Sequence, residues 1–562
     1  MIELSNIPWM SITVFLPLLG ALILMMVPAE HDRLHRLVAM AFMCVTFLVS
    51  MVLVALFDSS NGGYQLTSVY ENVPWIASIG ARYHLGMDGI SLWLVMLTTF
   101  LGPCLVLASY NYIDKRVKEF HISLLILQTA MLGTFLAQDV LLFYVFWEAM
   151  LIPMYVIIGV WGSDERIYAA VKLFIYTMAG SLMMLVGILY VYGKTGNFAL
   201  ADMMATASSL SIVEQRWLFA AFAVAFLIKI PVFPLHTWLP NAHTQAPTAG
   251  SVVLAGILLK MGVYGLIRFA IPMFPDAAID AAPILGILGV IGIIYGAIIA
   301  IVQPDAKKLV AYSSISHLGF VLLGLAAMTP QSMSGAVFQC LAHGITTSGL
   351  FLIIGIFYER RHSRELDDFG GLAKVMPRMA VIFVIMAMGS IGVPGLVGFA
   401  GEFPILLGSA QSRVLSFGNT ILSGTSFGPE LGATLLVVFA TSGVILGAIY
   451  VLSMVQRYLF GPIVHEENRT LADLSLREMF VLVPLAAMTI FMGLQPQAFY
   501  EGIQPAVERT HVLIQDNATG TNAERLRDET DATVAQRRFA KEGGPAWGLQ
   551  KEVQSSSNAS DN

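Results

Sequence analysis

The chain has 562 residues, 57% of them hydrophobic and 12% charged, with a net charge of -6 and a mean hydropathy of +0.74. A soluble domain carries about a quarter charged residues, so this composition excludes a soluble globule and predicts an all-α polytopic membrane protein. The mild acidity excludes the basic surface that nucleic-acid binding needs.

A membrane span needs about 20 mainly apolar residues. In chain order the candidates are 8–28, 35–57, 88–110, 119–137, 139–160, 168–192, 217–238, 249–270, 282–302, 307–328, 333–357, 377–401, 431–459 and 477–497, about fourteen helices. The first follows MIELSNIPW, which lacks a basic n-region, so it reads as a retained span. The loop 58–87 is polar and long enough for a short hairpin, with Gly62-Gly63 as a turn signal, and 198–215 is at best a weak amphipathic helix. Asp88 and Asp139 stand at helix starts and read as caps, and Asp305 with Lys307-Lys308 reads as a loop turn. With the N-terminus outside, the inner loops hold sixteen Lys and Arg residues and the outer loops five. That asymmetry predicts both termini on the outer side of a bacterial inner membrane.

Spans seven and twelve are broken. The first is interrupted at KIPVFP, the second within GSIGVPGLVGFAGEF. If helices 4–8 and 9–13 are two five-helix units, the breaks take the same fourth place in each, and an odd helix number makes the repeats inverted. The predicted organisation is helices 1–3 with the outer loop over 1–118, a first repeat over 119–270, a second over 282–459, a final helix at 477–497 and a polar tail over 498–562. The tail's part over 512–562 is too polar to fold alone and is expected to be extended or docked on a neighbour.

Six ionisable residues lie deep in these spans: Glu148, Lys229, Lys260, His317, His343 and Glu402. A charged side chain at the bilayer centre costs roughly 2.5–3.5 kcal/mol on insertion scales, so a chain that keeps several uses them. A carboxylate such as Glu148 must pair or stay protonated, and Lys229 is its expected partner. The histidines can both give and take a proton. Glu402 is expected to take the place in the second repeat that Lys229 has in the first. Lys172, His236 and His243 form a secondary set near helix ends. The bland alternatives are lysines that snorkel to the interface and histidines that only hydrogen-bond a neighbour. The order of the six predicts a line of protonatable groups across the membrane, hence a proton or cation path.

The three cysteines show no metal-binding spacing, and there is no G-x-G-x-x-G and no P-loop. No cofactor or metal is therefore expected on this chain. The methionines and phenylalanines read as packing or lipid-facing residues.

HTWLPNAHTQAPTAGSVVLAGILLKMGVYG at 236–265, with Lys229 ahead of it, resembles the antiporter-like subunits of respiratory complex I and the related multisubunit cation/proton antiporters. FWEAMLIPMY at 146–155, QPDAKKLVAYSSISHLGF at 303–320 and PGLVGFAGEF at 394–403 support it. The resemblance spans roughly 80–500. It implies a proton-translocating membrane subunit of a NADH:quinone oxidoreductase, an enzyme whose redox centres lie on other chains. Its partners would be neighbouring membrane-arm subunits, lipids and protons. Glu148 and Lys229 would form the pair of a first half-channel, Lys260 the central link, the histidines intervening relays and Glu402 the end of the second half-channel. Glutamate at 402, where antiporter homologues are expected to carry lysine, points to one branch of the complex I subunits. A sodium/proton antiporter subunit and a mainly structural membrane-arm subunit are the competing readings, and an ordinary solute symporter, without a visible substrate pocket, is a distant fourth.

Overall fold

A computed structural model describes residues 7–415 and 431–526. Among these, twelve helices are long and apolar enough to cross a membrane, from Trp9–Met26 to Leu476–Leu494. Two further apolar stretches are interrupted helices. One is Ile212–Lys229 followed by Trp238–Gln245, the other Pro377–Ile391 followed by Val397–Ala410. Both breaks fall where the proline- and glycine-rich stretches predicted them. Pro231 and Pro234 cannot continue a helix, and Gly392 and Gly395 adopt φ of 82° and 88°, the left-handed region that ends one.

The loops gather into two ends. At one, strands Asn72–Ile76 and Ala81–His84 pair antiparallel, so the expected hairpin is present. Its turn is at Ala77–Gly80, where Gly80 is left-handed, and not at Gly62-Gly63. Gly62 instead meets the C-terminal helix, where a Cβ would lie 2.2 Å from the Pro505 carbonyl oxygen. Glu71, fully buried, ties this loop to the first helix by accepting from the Ser11 N–H at 2.6 Å and the Ser11 hydroxyl at 2.9 Å. Residues 200–208 form a full helix, more than the weak amphipathic signal promised. The opposite end is closed by bonds such as Trp161 Nε1 to the Lys115 carbonyl at 2.7 Å and the Arg360–Glu478 pair at 2.7 Å.

The expected polar tail is partly wrong. Residues Gln497–Asn517 form a helix whose Phe499, Ile503, Ala506, Val507, Thr510 and Ile514 are buried at three- and four-residue spacing. One apolar stripe suffices to dock it across the hairpin end, although its low hydropathy keeps it from resembling a span. The described chain runs on to residue 526, where Thr519 Oγ1 donates to Asp276 at 2.8 Å. The rest of the tail, 527–562, lies outside the described residues.

Helices Thr248–Met273, Ala306–Ala326 and Pro330–Arg361 form the centre, with nearly every residue enclosed by protein. They carry Lys260, His317 and His343. Helices Asp32–Leu56 and Leu431–Leu459 form the margin and keep large exposed apolar side chains such as Leu48, Phe439 and Ile445.

Candidate functional site

The crossing that holds Glu148 is not one helix, as its sequence suggests, but two in line. Asp139 caps the first, accepting from the N–H groups of Leu141 and Leu142 at 3.0 Å each. Pro153 has no N–H to offer the Ala149 carbonyl, so the helix yields there and restarts at Leu151. Glu148 sits on the last turn before this joint, and its Oε1 is buried without a protein partner. Lys229 is the final residue of Ile212–Lys229 and is 3% exposed. Its Nζ lies 3.8 Å from Met150 Sδ and 5.3 Å from the centre of the Trp147 ring. Lys229 and Glu148 act on each other electrostatically, but no hydrogen bond joins them. The expected pair is a pair through its field rather than by contact.

Lys260 lies between two π-helical turns, Leu254–Leu258 and Leu266–Ala270, neither of which the apolar sequence announces. Such turns insert one residue, rotate the rest of the helix about its axis and recur at functional sites. Here the first brings the Ala255 carbonyl within reach of Lys260 Nζ, which donates to it. The same Nζ lies 2.6 Å from His343 Nδ1. Gly262 lets this helix close on the broken one, since a Cβ there would lie 2.6 Å from the Phe226 carbonyl oxygen and 2.9 Å from Lys229 Cβ.

From His343 the line continues. Its ring centre is 5.8 Å from that of His317. His317 Nδ1 is 2.9 Å from Glu402 Oε1, and Gln339 Nε2 donates to the same oxygen at 3.0 Å. His317 Nε2 faces the hydroxyls of Ser390 at 3.3 Å and Tyr450 at 3.4 Å. Glu402 does not occupy the place expected for it. Lys229 precedes its break, whereas Glu402 follows its own, on the second half-helix Val397–Ala410. Helical side chains lean toward the N-terminus, and the carboxylate folds back onto the break, where a Cβ on Gly392 would lie 3.0 Å from Oε2.

The secondary residues divide. Lys172 Nζ donates to Asn241 Oδ1 at 2.8 Å and His236 Nε2 lies 3.3 Å from the Tyr295 hydroxyl, both to one side of the line. His243 belongs to the centre. It is fully buried, stacks on Phe351 with ring centres 4.7 Å apart, and neither ring nitrogen has a protein partner. It is in electrostatic range of Lys260 and of Lys307. Lys307, read from sequence as part of a loop turn, is buried in a first helical turn and its Nζ donates to the Ala246 carbonyl at 2.5 Å. Ser390, Tyr450 and Lys307 were missed because a serine, a tyrosine and a lysine near helix ends carry no unusual signal alone.

The site is therefore two groups of ionisable side chains. Glu148 with Lys229 forms one, and Lys260, His343, His317 and Glu402 form an almost continuous second. Among the described residues no cluster of three or more potential ligands could hold a metal ion.

The chain and its fold are similar to known proteins. Residues 137–428 match the family model described as NADH:quinone oxidoreductase/Mrp antiporter, TM. The chain is 44% identical over 514 residues to the NADH-quinone oxidoreductase subunit M of Rhodobacter capsulatus, covering 89% of this chain and 95% of that one. It is 39% identical over 492 residues to the NADH-ubiquinone oxidoreductase chain 4 of Arabidopsis thaliana, covering 87% and 94%. Among solved structures, a chain of respiratory complex I from Thermus thermophilus with bound NADH matches with a TM-score of 0.78 and 30% identity, covering 90% of this chain and 99% of that one. A chain of the Mrp complex from a Dietzia species matches with a TM-score of 0.76 at 21% identity, covering 90% and 97%, which is a likeness of fold.

Proposed function

Because the chain belongs to the NADH:quinone oxidoreductase/Mrp antiporter transmembrane family, we propose that it is the proton-translocating membrane-arm subunit of subunit M type in a NADH:quinone oxidoreductase. The observation that carries this reading is the buried line Lys260–His343–His317–Glu402. Identity of 44% to a subunit M, against 21% to an Mrp chain, favours the oxidoreductase over a free-standing antiporter.

The line works as a relay because Lys260 meets His343, and His317 meets Glu402, through atoms that can change their proton, while the two imidazoles face each other with ring centres 5.8 Å apart. A charged Lys260 donates to His343 Nδ1, which leaves the neutral His343 proton on Nε2. An ionised Glu402 accepts from His317 Nδ1–H, which leaves His317 Nε2 to accept from Ser390 or Tyr450. A proton reaching His317 Nε2 makes an imidazolium that can release the Nδ1 proton to Glu402. Glu148 biases Lys229 in the same way at the other group: an ionised Glu148 holds the lysine charged, and its loss lowers the lysine's affinity for the proton. Redox chemistry would lie on other chains, with neighbouring membrane-arm subunits as partners and lipids around the margin. The site would sit in a bacterial inner membrane with the hairpin end and both termini outside. The test is protons pumped per electron in membranes carrying Lys229→Ala or Glu402→Ala. Unchanged pumping in a normally assembled complex would reject the relay.

A further inference from the structure

A cavity of about 340 Å³ lies at the hairpin end, roofed by the Gln497–Asn517 helix and walled by the Leu200–Ser208 helix. No residue of the relay lines it. Its walls are largely apolar, including Met204, Pro272 and Leu513, but two guanidinium groups, Arg268 and Arg509, border it. Both lie against one aromatic ring, with Arg268 5.1 Å and Arg509 5.5 Å from the centre of Tyr64.

Arg268 is 5% exposed and pairs with Asp88 at 2.5 Å through Nη2. Asp88 has little left to give, because its other oxygen caps a helix by accepting from the Ile90 and Ser91 N–H groups. Arg268 Nε is buried with no acceptor in the protein. A buried donor left unmade is costly, and the guanidinium that carries it borders the cavity. Arg509 has no ion pair among the described residues, so the one carboxylate leaves the cavity with a net positive charge. His84, on the same wall, adds no negative charge, and burial and Arg82 hold it below the usual histidine range. A mostly apolar cavity of this size with a few convergent polar groups has the composition of a small-ligand site.

We propose that this cavity binds one amphipathic anion, its oxoanion head on the Arg268 and Arg509 guanidinium groups and its chain along the Met204–Leu513 wall. The head could be the phosphate of an anionic phospholipid or the carboxylate of a fatty acid, since both present the same charged oxygens to a guanidinium. The assembled membrane complex, stripped of lipid, is titrated with labelled phosphatidylglycerol, labelled oleate and labelled phosphatidylcholine, and the retained ligand is counted per complex. Two variants are compared with the parent. Arg509→Gln removes one head contact on an exposed helix position. Ala205→Trp places bulk in the cavity from a residue that is exposed, so the core is untouched.

The parent is expected to hold one phosphatidylglycerol or one oleate beyond what either variant holds, and whichever binds more tightly names the head group. Arg509→Gln should weaken that binding by about tenfold, the effect of one charge-assisted hydrogen bond, and Ala205→Trp should abolish it. Equal retention by all three proteins would overturn the proposal. So would equal retention of phosphatidylcholine, or displacement by inorganic phosphate as effectively as by the amphiphile.

Discussion

His317 and Glu402 sit 2.9 Å apart, Nδ1 to Oε1, on two helices that the sequence separates by 85 residues. The glutamate follows a helix break and folds back on it, so the contact depends on the left-handed turn at Gly392 as much as on either side chain. Replacing Glu402 by Gln keeps the size and still accepts from His317 but cannot take a proton. The rate of proton pumping should fall by at least about tenfold in Glu402→Gln, since a missing proton-transfer group removes about 10²–10⁴-fold of acid–base assistance to a rate. Glu402→Asp should retain part of the activity. Proton pumping in sealed vesicles, with NADH oxidation recorded in the same preparation, checks both.

Glu148 and Lys229 influence each other without touching, and that makes a distinct prediction. Glu148→Gln and Lys229→Ala should each impair pumping, and the double variant should be little worse than the poorer single one. For two groups acting as a unit the non-additivity is about 0.5–3 kcal/mol. Additive losses would mean that the two serve separate steps. The measurement is a double-mutant cycle on pumping rate in assembled complex.

Gly262 is the point where the central helix meets the broken one. A methyl there would press on the Phe226 carbonyl oxygen at 2.6 Å, a backbone atom that cannot swing aside, and on the stem of Lys229. Gly262→Ala should therefore destabilise the subunit by about 1–3 kcal/mol, the usual cost of overpacking. It should also depress pumping more than Gly193→Ala, whose Cβ would meet nothing within 4 Å. Thermal stability of the purified complex and pumping per electron report the two effects separately.

Much of this was legible in the sequence because charge in apolar sequence is conspicuous. Lys260, His317, His343 and Glu402 stand out against their neighbours, and the prolines and glycines at 231–247 and 389–398 announce the two breaks. The backbone geometry stayed hidden. Nothing in LAGIL or LIRFA distinguishes a π turn from an α turn, yet the first of these sets the contact between Lys260 and Ala255. Pro153 was visible, but one proline does not say whether a membrane helix merely bends or stops and restarts. The C-terminal helix was hidden for another reason. Its stripe is one residue in three or four over a polar background, which reads as tail until a surface exists for it to cover.

Four buried polar atoms between Lys260 and Lys307 have no protein partner: His343 Nε2, Thr347 Oγ1 and both ring nitrogens of His243. His343, Thr347 and Phe351 are spaced by four and share one face of their helix, and Phe351 stacks on His243. Each such atom left dry would cost about 1–3 kcal/mol, and buried waters typically make two to four bonds to groups of this kind. Two or more ordered waters should therefore occupy this stretch. They would join the centre, where Lys260 meets His343, to Lys307 at the end opposite the hairpin. An experimental map at a resolution that shows waters checks it, and density beside His243 Nδ1 and Nε2 is the decisive feature. His243→Leu should expel those waters, leave the Phe351 contact apolar and slow pumping while the complex still assembles. A dry stretch in the map, or full pumping by His243→Leu, would mean that Lys260 exchanges protons only along the line to Glu402.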